Sequence, residues 1–286
     1  HLNGLLYPLQ ARSLRALLPT SCPVVAQHHA ERPKSGVRGA LQRWGLGAVD
    51  GFFFAARELA QAWLQRRMIG LTQPIYEIAE GSNWFEPQDR AAVRVRTGMC
   101  GDPALLWVGR LDLNKDPLTI LAGFEQALAV APRARLHMIY ADDPLLPEVQ
   151  ARIAGSSALR ETVVLLGRKS YLEIQDYYNS ADYFVLGSHH EGSGYALAEA
   201  LACGVVPIVT DIPSFRVMTD GGGLGTLWPP GDAQALASAI ENTLRRPRGA
   251  LAAEARRFFE ARLSYPSIGR QALAAYHELT SRREIR

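Results

Sequence analysis

Tyr183-Phe184-Val185-Leu186-Gly187-Ser188-His189-His190-Glu191-Gly192-Ser193-Gly194-Tyr195-Ala196-Leu197-Ala198-Glu199 is the stretch that decides the fold. Its first four residues are continuously apolar, as in a short strand buried on both faces. Gly187 to His190 read as a polar loop, and from Tyr195 to Ala202 the apolar residues recur at helical spacing. A buried strand, a glycine loop and a helix in that order belong to a parallel sheet, because parallel neighbours need a crossover that a helix usually supplies.

The same alternation extends outward from about Pro103. Ala104 to Val108, Leu136 to Tyr140, Val163 to Leu166 and Val205 to Val209 are further short apolar runs. Leu118 to Val130 and Leu172 to Ser180 between them read as helices, and Asp116 is a suitable N-cap before Pro117 at the first helical position. Alternation of this kind predicts an α/β fold with a doubly wound parallel sheet. Upstream, Pro23 to Gln27 and Gly51 to Ala55 read as strands, Ile75 to Ala79 is a third apolar run, and Ala56 to Arg67 reads as a helix. Leu2 to Leu6 looks like the end of a strand. The turn-rich loop Glu80 to Pro87 leads out of this region, and a hinge is expected near Gly98 to Pro103. Residues 1–98 and 99–262 are therefore expected to form two Rossmann-like domains, with residues 263–286 a final helical segment after Pro266.

A chain of 286 residues is long enough for about two domains with sizeable cores. Hydrophobic residues make up 48% and charged residues 21%, an ordinary globular balance. The net charge of +3 is too small to argue for nucleic acid, and no binding signature for it occurs. Cys22, Cys100 and Cys203 lie far apart without a C-x-x-C pair, so a disulfide framework or structural zinc is not expected and a reducing compartment fits best. No run of about 18 apolar residues and no signal-peptide pattern occurs. A cytoplasmic location is expected, and the alanine- and arginine-rich composition points to a GC-rich bacterial genome.

Three patterns fall at the carboxyl ends of predicted strands, where open α/β sheets bind ligands. Gly109-Arg110-Leu111-Asp112-Leu113-Asn114-Lys115 places a guanidinium and an ammonium on one glycine-led loop, a pair able to neutralise a diphosphate or simply to face solvent. In Glu191 to Glu199, Gly192 and Gly194 let backbone approach a ligand at a helix start, where the dipole favours phosphate. Ser193 and Tyr195 share that turn. Glu199, roughly 6 Å along the helix axis, could hold both hydroxyls of a ribose. Its neighbours Ala198, Ala200, Leu201 and Ala202 are apolar, and a buried carboxylate without partners is costly. Gly167-Arg168-Lys169 is the third pattern, either a rest for a nucleobase edge or an ordinary turn.

The G-R-L-x-x-x-K loop, the E-x7-E segment, Gly204, Pro207 to Asp211 (P-I-V-T-D) and Pro230-Gly231-Asp232 together resemble family 4 of the retaining glycosyltransferases, in register from about Gly98 through Arg246. The resemblance implies a GT-B architecture of two Rossmann-like domains, an acceptor-side domain at 1–98 and a donor-binding domain at 99–262, with the last helix crossing back to the first. It implies a nucleotide-diphosphate sugar donor, UDP- or GDP-linked, and no cofactor. Donor contacts are expected at Gly109, Arg110, Lys115, Gly167, Arg168, Glu191, Gly192, Ser193, Gly194, Tyr195 and Glu199. Catalytic roles are expected for Glu191, Arg110, Lys115 and a histidine of Pro23 to Glu31. His28 and His29 compete for that position, and His29 is favoured.

No Asp-x-Asp motif is present, so a metal-independent reaction is expected, with retention and a saccharide, lipid-linked or small-molecule acceptor. Peripheral contact with the inner membrane face is left open. The first domain is expected to lack the family's opening strand–helix unit and glycine-rich loop, and Ser193 stands where a bulky apolar residue is frequent. The alternative is a non-catalytic nucleotide-sugar-binding remnant. A nicotinamide-dependent dehydrogenase is disfavoured because no G-x-G-x-x-G follows a first strand.

Overall fold

The computed structural model describes residues 1–141 and 143–284, with side chains through Arg283. The chain divides into two compact units: His1–Ser82 joined by the segment from Tyr265, and Asn83–Ser264.

The first unit runs β1 (Leu2–Asn3), α1 (Pro8–Leu17), β2 (Val25–Gln27), α2 (Gly36–Leu46), β3 (Gly51–Phe54), a 3₁₀ turn (Arg57–Ala60), α3 (Gln61–Gln65) and β4 (Ile75–Glu77). All its strand pairs are parallel, in the order β1-β2-β3-β4. The Phe run of β3 shows how the sheet is covered, because successive strand side chains point to opposite faces. Phe52 and Phe54 join a core with Ala11, Leu46 and Trp63. Phe53 lies in another core with Val25, Ala275 and Leu279. Ala275 and Leu279 come from the long last helix, Tyr265–Glu284, which therefore completes this unit.

The second unit opens with α4 (Arg90–Thr97), followed by β5 (Ala104–Gly109), α5 (Pro117–Ala127), β6 (Arg135–Tyr140), α6 (Leu146–Ala154), α7 (Ser157–Thr162) and β7 (Val163–Gly167). It continues with α8 (Tyr171–Ser180), β8 (Tyr183–Leu186), α9 (Tyr195–Ala202), β9 (Val206–Thr210), α10 (Pro213–Met218), β10 (Thr226–Trp228), α11 (Ala233–Leu244) and α12 (Arg248–Phe258). A π turn, Phe259–Leu263, ends it, and the last helix above is α13. The six strands are parallel in the order β10-β9-β8-β5-β6-β7. Travel from β5 through β6 to β7 runs one way across the sheet, and from β8 to β10 the other way. Right-handed crossovers then lie on opposite faces, and the direction reverses between β5 and β8. That reversal leaves a crevice beyond the carboxyl ends of β5 and β8.

The structure moves the expected boundary. The compact units meet at Ser82/Asn83, not at 98/99. Residues before Gly98 join the second unit because α4 is pinned there: Arg90 and Arg94 reach Asp182 at 2.9 and 2.8 Å, and Arg94 also donates to the Ser180 carbonyl. The sequence also underestimated the sheet, since β10 was not foreseen. The helix expected over Ala56 to Arg67 is a 3₁₀ turn followed by a five-residue α-helix.

Candidate functional site

The loop after β5 and the loop after β8 flank the crevice, and several contacts clip them together. Asn114 donates to the His190 carbonyl at 3.0 Å and accepts from the His190 amide at 3.1 Å. The His189 amide donates to the Asn114 carbonyl, and the His189 ring contacts the Asp116 carboxylate at 3.0 Å. Asp116 is itself in the left-handed region and caps α5 by accepting from the Thr119 amide. Gly187 suits the close approach at this junction, because a Cβ there would lie 3.2 Å from the Lys115 carbonyl oxygen, tighter than an ordinary contact.

Between these loops lies a cavity of about 310 Å³. Gly109, Arg110 and Lys115 line it from the β5 loop, Glu191 from the β8 loop, and Tyr195, Ala196 and Glu199 from α9. Val108, Ile139, Tyr140 and Ala141 contribute from the strand ends, and Arg168, Lys169 and Ile174 from the segment after β7. Gly109 keeps the entrance open: a Cβ there would meet the Trp107 ring at 3.2 Å and Lys115 Cγ at 3.4 Å.

The charges are arranged in two layers. Lys115 and Glu191 form an ion pair with both side chains largely buried, about 14% and 13% exposed. Arg110 lies farther out, 58% exposed, with Asp112 at 3.0 Å. The Glu191 backbone is fixed from behind, since Ser214 Oγ donates to its carbonyl at 2.6 Å. Gly194 caps α9 at φ 60°, and a Cβ there would sit 2.8 Å from Met218 Sδ, so this turn requires glycine. The positive end of the α9 dipole thus opens at the crevice rim.

Glu199, one turn into α9, accepts a hydrogen bond from the Tyr178 hydroxyl at 2.9 Å. Burial pushes its carboxyl up to about 7, and the Tyr178 contact only partly offsets this. Burial likewise raises the Tyr178 phenol well above its ordinary value, with the Glu199 charge adding to the effect. Burial also raises Tyr140, with Asp143 contributing.

Of the residues singled out from sequence, Gly109, Arg110, Lys115, Arg168, Glu191, Tyr195 and Glu199 converge on this cavity. Gly167, Gly192, Ser193 and Gly194 belong to the adjoining turns and do not line it. His29 belongs to the first unit, where its ring pairs with Glu80 and its amide donates to Glu31 at 2.6 Å. His28 is buried, stacked on Phe54 at 4.7 Å, with Nε2 at 2.9 Å from the Glu31 carbonyl. His29, with its side chain 37% exposed, is therefore the ring of the two that reaches solvent. Sequence reasoning missed Ile139, Tyr140, Ala141, Ile174 and Tyr178. Only the spacing of Ile174 and Tyr178 on one face of α8 hinted at them.

The sequence profile of the family described as glycosyl transferases group 1 matches residues 102–246, half of the chain. The chain belongs to this glycosyltransferase family. A D-inositol 3-phosphate glycosyltransferase of Streptosporangium roseum is 30% identical over 183 residues, which is 60% of this chain and 42% of that protein. A GDP-mannose:cellobiosyl-diphosphopolyprenol alpha-mannosyltransferase of Xanthomonas campestris is 31% identical over 159 residues, 55% of this chain and 40% of that one. The chain thus spans well under two thirds of the curated relatives it matches. Among solved structures, sucrose-phosphate synthase of Thermosynechococcus elongatus superposes with a TM-score of 0.75 at 23% identity, covering 98% of this chain and 73% of that one. Anabaena HepE in complex with UDP gives 0.74 at 18% identity, covering 90% and 72%. At these identities the likeness is one of fold, the GT-B arrangement of two Rossmann-like units. In this family member, no helix among the described residues is long and apolar enough to cross a membrane.

Proposed function

We propose that the second-unit crevice binds a nucleoside diphosphate sugar, UDP- or GDP-linked, and that the chain carries the donor side of a retaining glycosyltransferase. The reading rests on one observation: Arg110, Lys115, Glu191 and Glu199, from two loops and one helix start, converge on a single cavity where the strand order reverses. Arg110 and Lys115 meet the diphosphate together with the positive end of α9. Negative charge grows on the departing phosphate oxygen as the glycosidic bond breaks, so fixed cations there favour the transition state over the ground state. The acceptor oxygen bonds to the anomeric carbon on the face the leaving group departs from, and the acceptor proton passes to that phosphate oxygen. This division of labour requires no divalent ion and no cofactor.

A diphosphate competes with Glu191 for Lys115, and the carboxylate so displaced turns to the hydroxyls of the transferred sugar. Glu199, held by Tyr178, accepts the ribose hydroxyls, and the base rests among Ile139, Tyr140 and Ala141 beside Gly167 and Arg168. Gly192, Ser193, Gly194 and Tyr195 shape the turn that meets the phosphates. His29 is the acceptor-side group of the first unit. The matched relatives' names support sugar transfer to small-molecule and lipid-linked acceptors. Cytoplasmic placement, with peripheral contact at the inner membrane face for a lipid-linked acceptor, belongs to the same reading.

The test is a thermal-shift panel of UDP, GDP, ADP and their sugars against wild type and Glu199→Ala, followed by NMR of the product anomer. A ligand at 100 times its dissociation constant stabilises the native state by about 2.7 kcal/mol. A shift with one nucleotide, abolished in the variant and accompanied by retained configuration, is expected. Donor binding without transfer to any acceptor would favour the non-catalytic alternative, and no shift at all would refute the donor site.

A further inference from the structure

A second cavity, about 410 Å³, lies wholly within the first unit. Its walls include Asp50 and Gln73, which precede β3 and β4, so it opens at the N-terminal edge of the sheet. His29 follows β2 at the opposite, C-terminal edge. The cavity is therefore no part of the acceptor-side region assigned above.

Its lining is strongly cationic. Arg12 and Arg15 come from α1, Arg282 and Arg283 from α13, and among the described lining residues Asp50 is the one acidic side chain. Asp50 is already engaged: Arg15 approaches it at 3.4 Å, Arg283 pairs with it, and it accepts from the Val24 amide at 2.7 Å. Among the described residues Arg282 pairs with the exposed Glu278 on its own helix, and Arg12 donates to the Trp44 carbonyl. Gln73 is saturated, donating to the Leu46 and Val49 carbonyls and accepting from the Gly70 amide. What remains unmatched is positive. Nε and Nη1 of Arg15 and Nε of Arg283 are buried without an acceptor. A buried N–H left unpaired costs about 1–3 kcal/mol, and guanidinium groups are the side chains best shaped to grip phosphate in pairs.

The second unit supplies an internal control. Asp182 is surrounded by Arg90, Arg94 and Arg248, yet none of their nitrogens is among the buried unpartnered atoms of the described residues. There the arginine side chains are 32%, 29% and 34% exposed, against 20% for Arg15 and Arg283, so it is the more buried Asp50 cluster that leaves orphan donors. We infer that the first-unit cavity is an anion site that takes the phosphate group of a small molecule, either a free phosphorylated metabolite or a lipid headgroup.

The experiment titrates pyrophosphate into the full chain by calorimetry. Arg110→Gln/Lys115→Gln removes the proposed donor-site cations, and pyrophosphate binding is expected to persist in that background. Adding Arg12→Gln/Arg282→Gln should weaken the remaining site at least tenfold. Arg282→Gln alone, which leaves the α1 contacts untouched, should move affinity in the same direction. Cosedimentation with phosphatidylglycerol against phosphatidylcholine vesicles separates the sources. Binding of phosphatidylglycerol that is lost with Arg12 and Arg282, without binding of pyrophosphate, assigns the site to a headgroup. The inference is overturned if pyrophosphate binding vanishes with Arg110 and Lys115 alone and vesicles do not bind. It is equally overturned if whatever binding remains ignores Arg12 and Arg282. Neither result touches the donor-site reading, which is tested by nucleotide.

Discussion

Asp50 in the first unit and Asp182 in the second occupy the same place in their respective sheets. Each immediately precedes a strand, β3 or β8, and exchanges backbone and side-chain hydrogen bonds with the start of the neighbouring strand. Asp50 does so with Val24, through its own amide to the carbonyl and its carboxylate from the amide, both at 2.7 Å. Asp182 does so with Ala104 at 2.8 and 2.9 Å. Each gathers arginines from helices outside the sheet. The surroundings then diverge. Around Asp182, α4 and α12 bring three arginines close and their buried nitrogens find acceptors. Around Asp50, a cavity lies beside the cluster and guanidinium nitrogens are left over. One device serves as a strand-edge lock in the second unit and, opened by a cavity, as a place for an anion in the first.

Removing the two carboxylates should separate these roles. Asp182→Ala takes the carboxylate from three arginines whose side chains are 32%, 29% and 34% exposed, and should cost about 2–3 kcal/mol in urea unfolding, below the range for breaking a fully buried ion pair. Asp50→Ala should cost less, about 1–2 kcal/mol, because it takes the carboxylate from two arginines rather than three, and these already leave donors unpaired. Equal losses would break the comparison.

Glu199 sharpens it as a buried carboxylate with no cation among its recorded partners. Its folded value near 7 lies above the ordinary 4.5, so between those values the folded protein holds a proton that the unfolded chain has released. Stability therefore falls as pH rises from about 4.5 to about 7 and levels off above that. Glu199→Gln removes this slope and should gain roughly 2–3 kcal/mol on wild type between pH 5 and pH 8. Parallel stability curves for the two proteins would contradict the assignment.

Arg110→Ala should reduce turnover with a nucleotide sugar at least about tenfold, since one charge-assisted contact contributes about 1.5–3 kcal/mol. Unchanged turnover would remove Arg110 from the site. The smallest effect belongs to the exposed pair Arg133–Asp102, with side chains 79% and 70% exposed. Arg133→Ala should change unfolding stability by less than about 1 kcal/mol.

The second unit was largely legible because its central strands are buried on both faces and so read as continuous apolar runs. Leu105, Leu106 and Trp107 of β5, for example, are essentially inaccessible. β10, three residues long and partly exposed, gives no such run. In the first unit the strands are only two to four residues long. Its helices α1 and α2 escaped notice because exposed Leu9, Leu17, Val37 and Trp44 blur their periodicity. α4 has no signal of its own in the sequence, because what holds it is Asp182, about ninety residues away. The charged loops of the candidate site were legible because glycines, Arg110, Lys115, Glu191 and Glu199 are local in sequence. The Asn114 clip and the Tyr178–Glu199 contact were not, since each joins elements that only the sheet order brings together.

The most direct test of the donor-site assignment compares nucleoside diphosphate with nucleoside monophosphate binding in wild type and Lys115→Ala by calorimetry. If the crevice is a diphosphate site, wild type should prefer the diphosphate at least about tenfold, from one added charge-assisted contact, and Lys115→Ala should lose most of that preference while still binding the monophosphate. An undiminished preference for the diphosphate in Lys115→Ala would contradict the assignment.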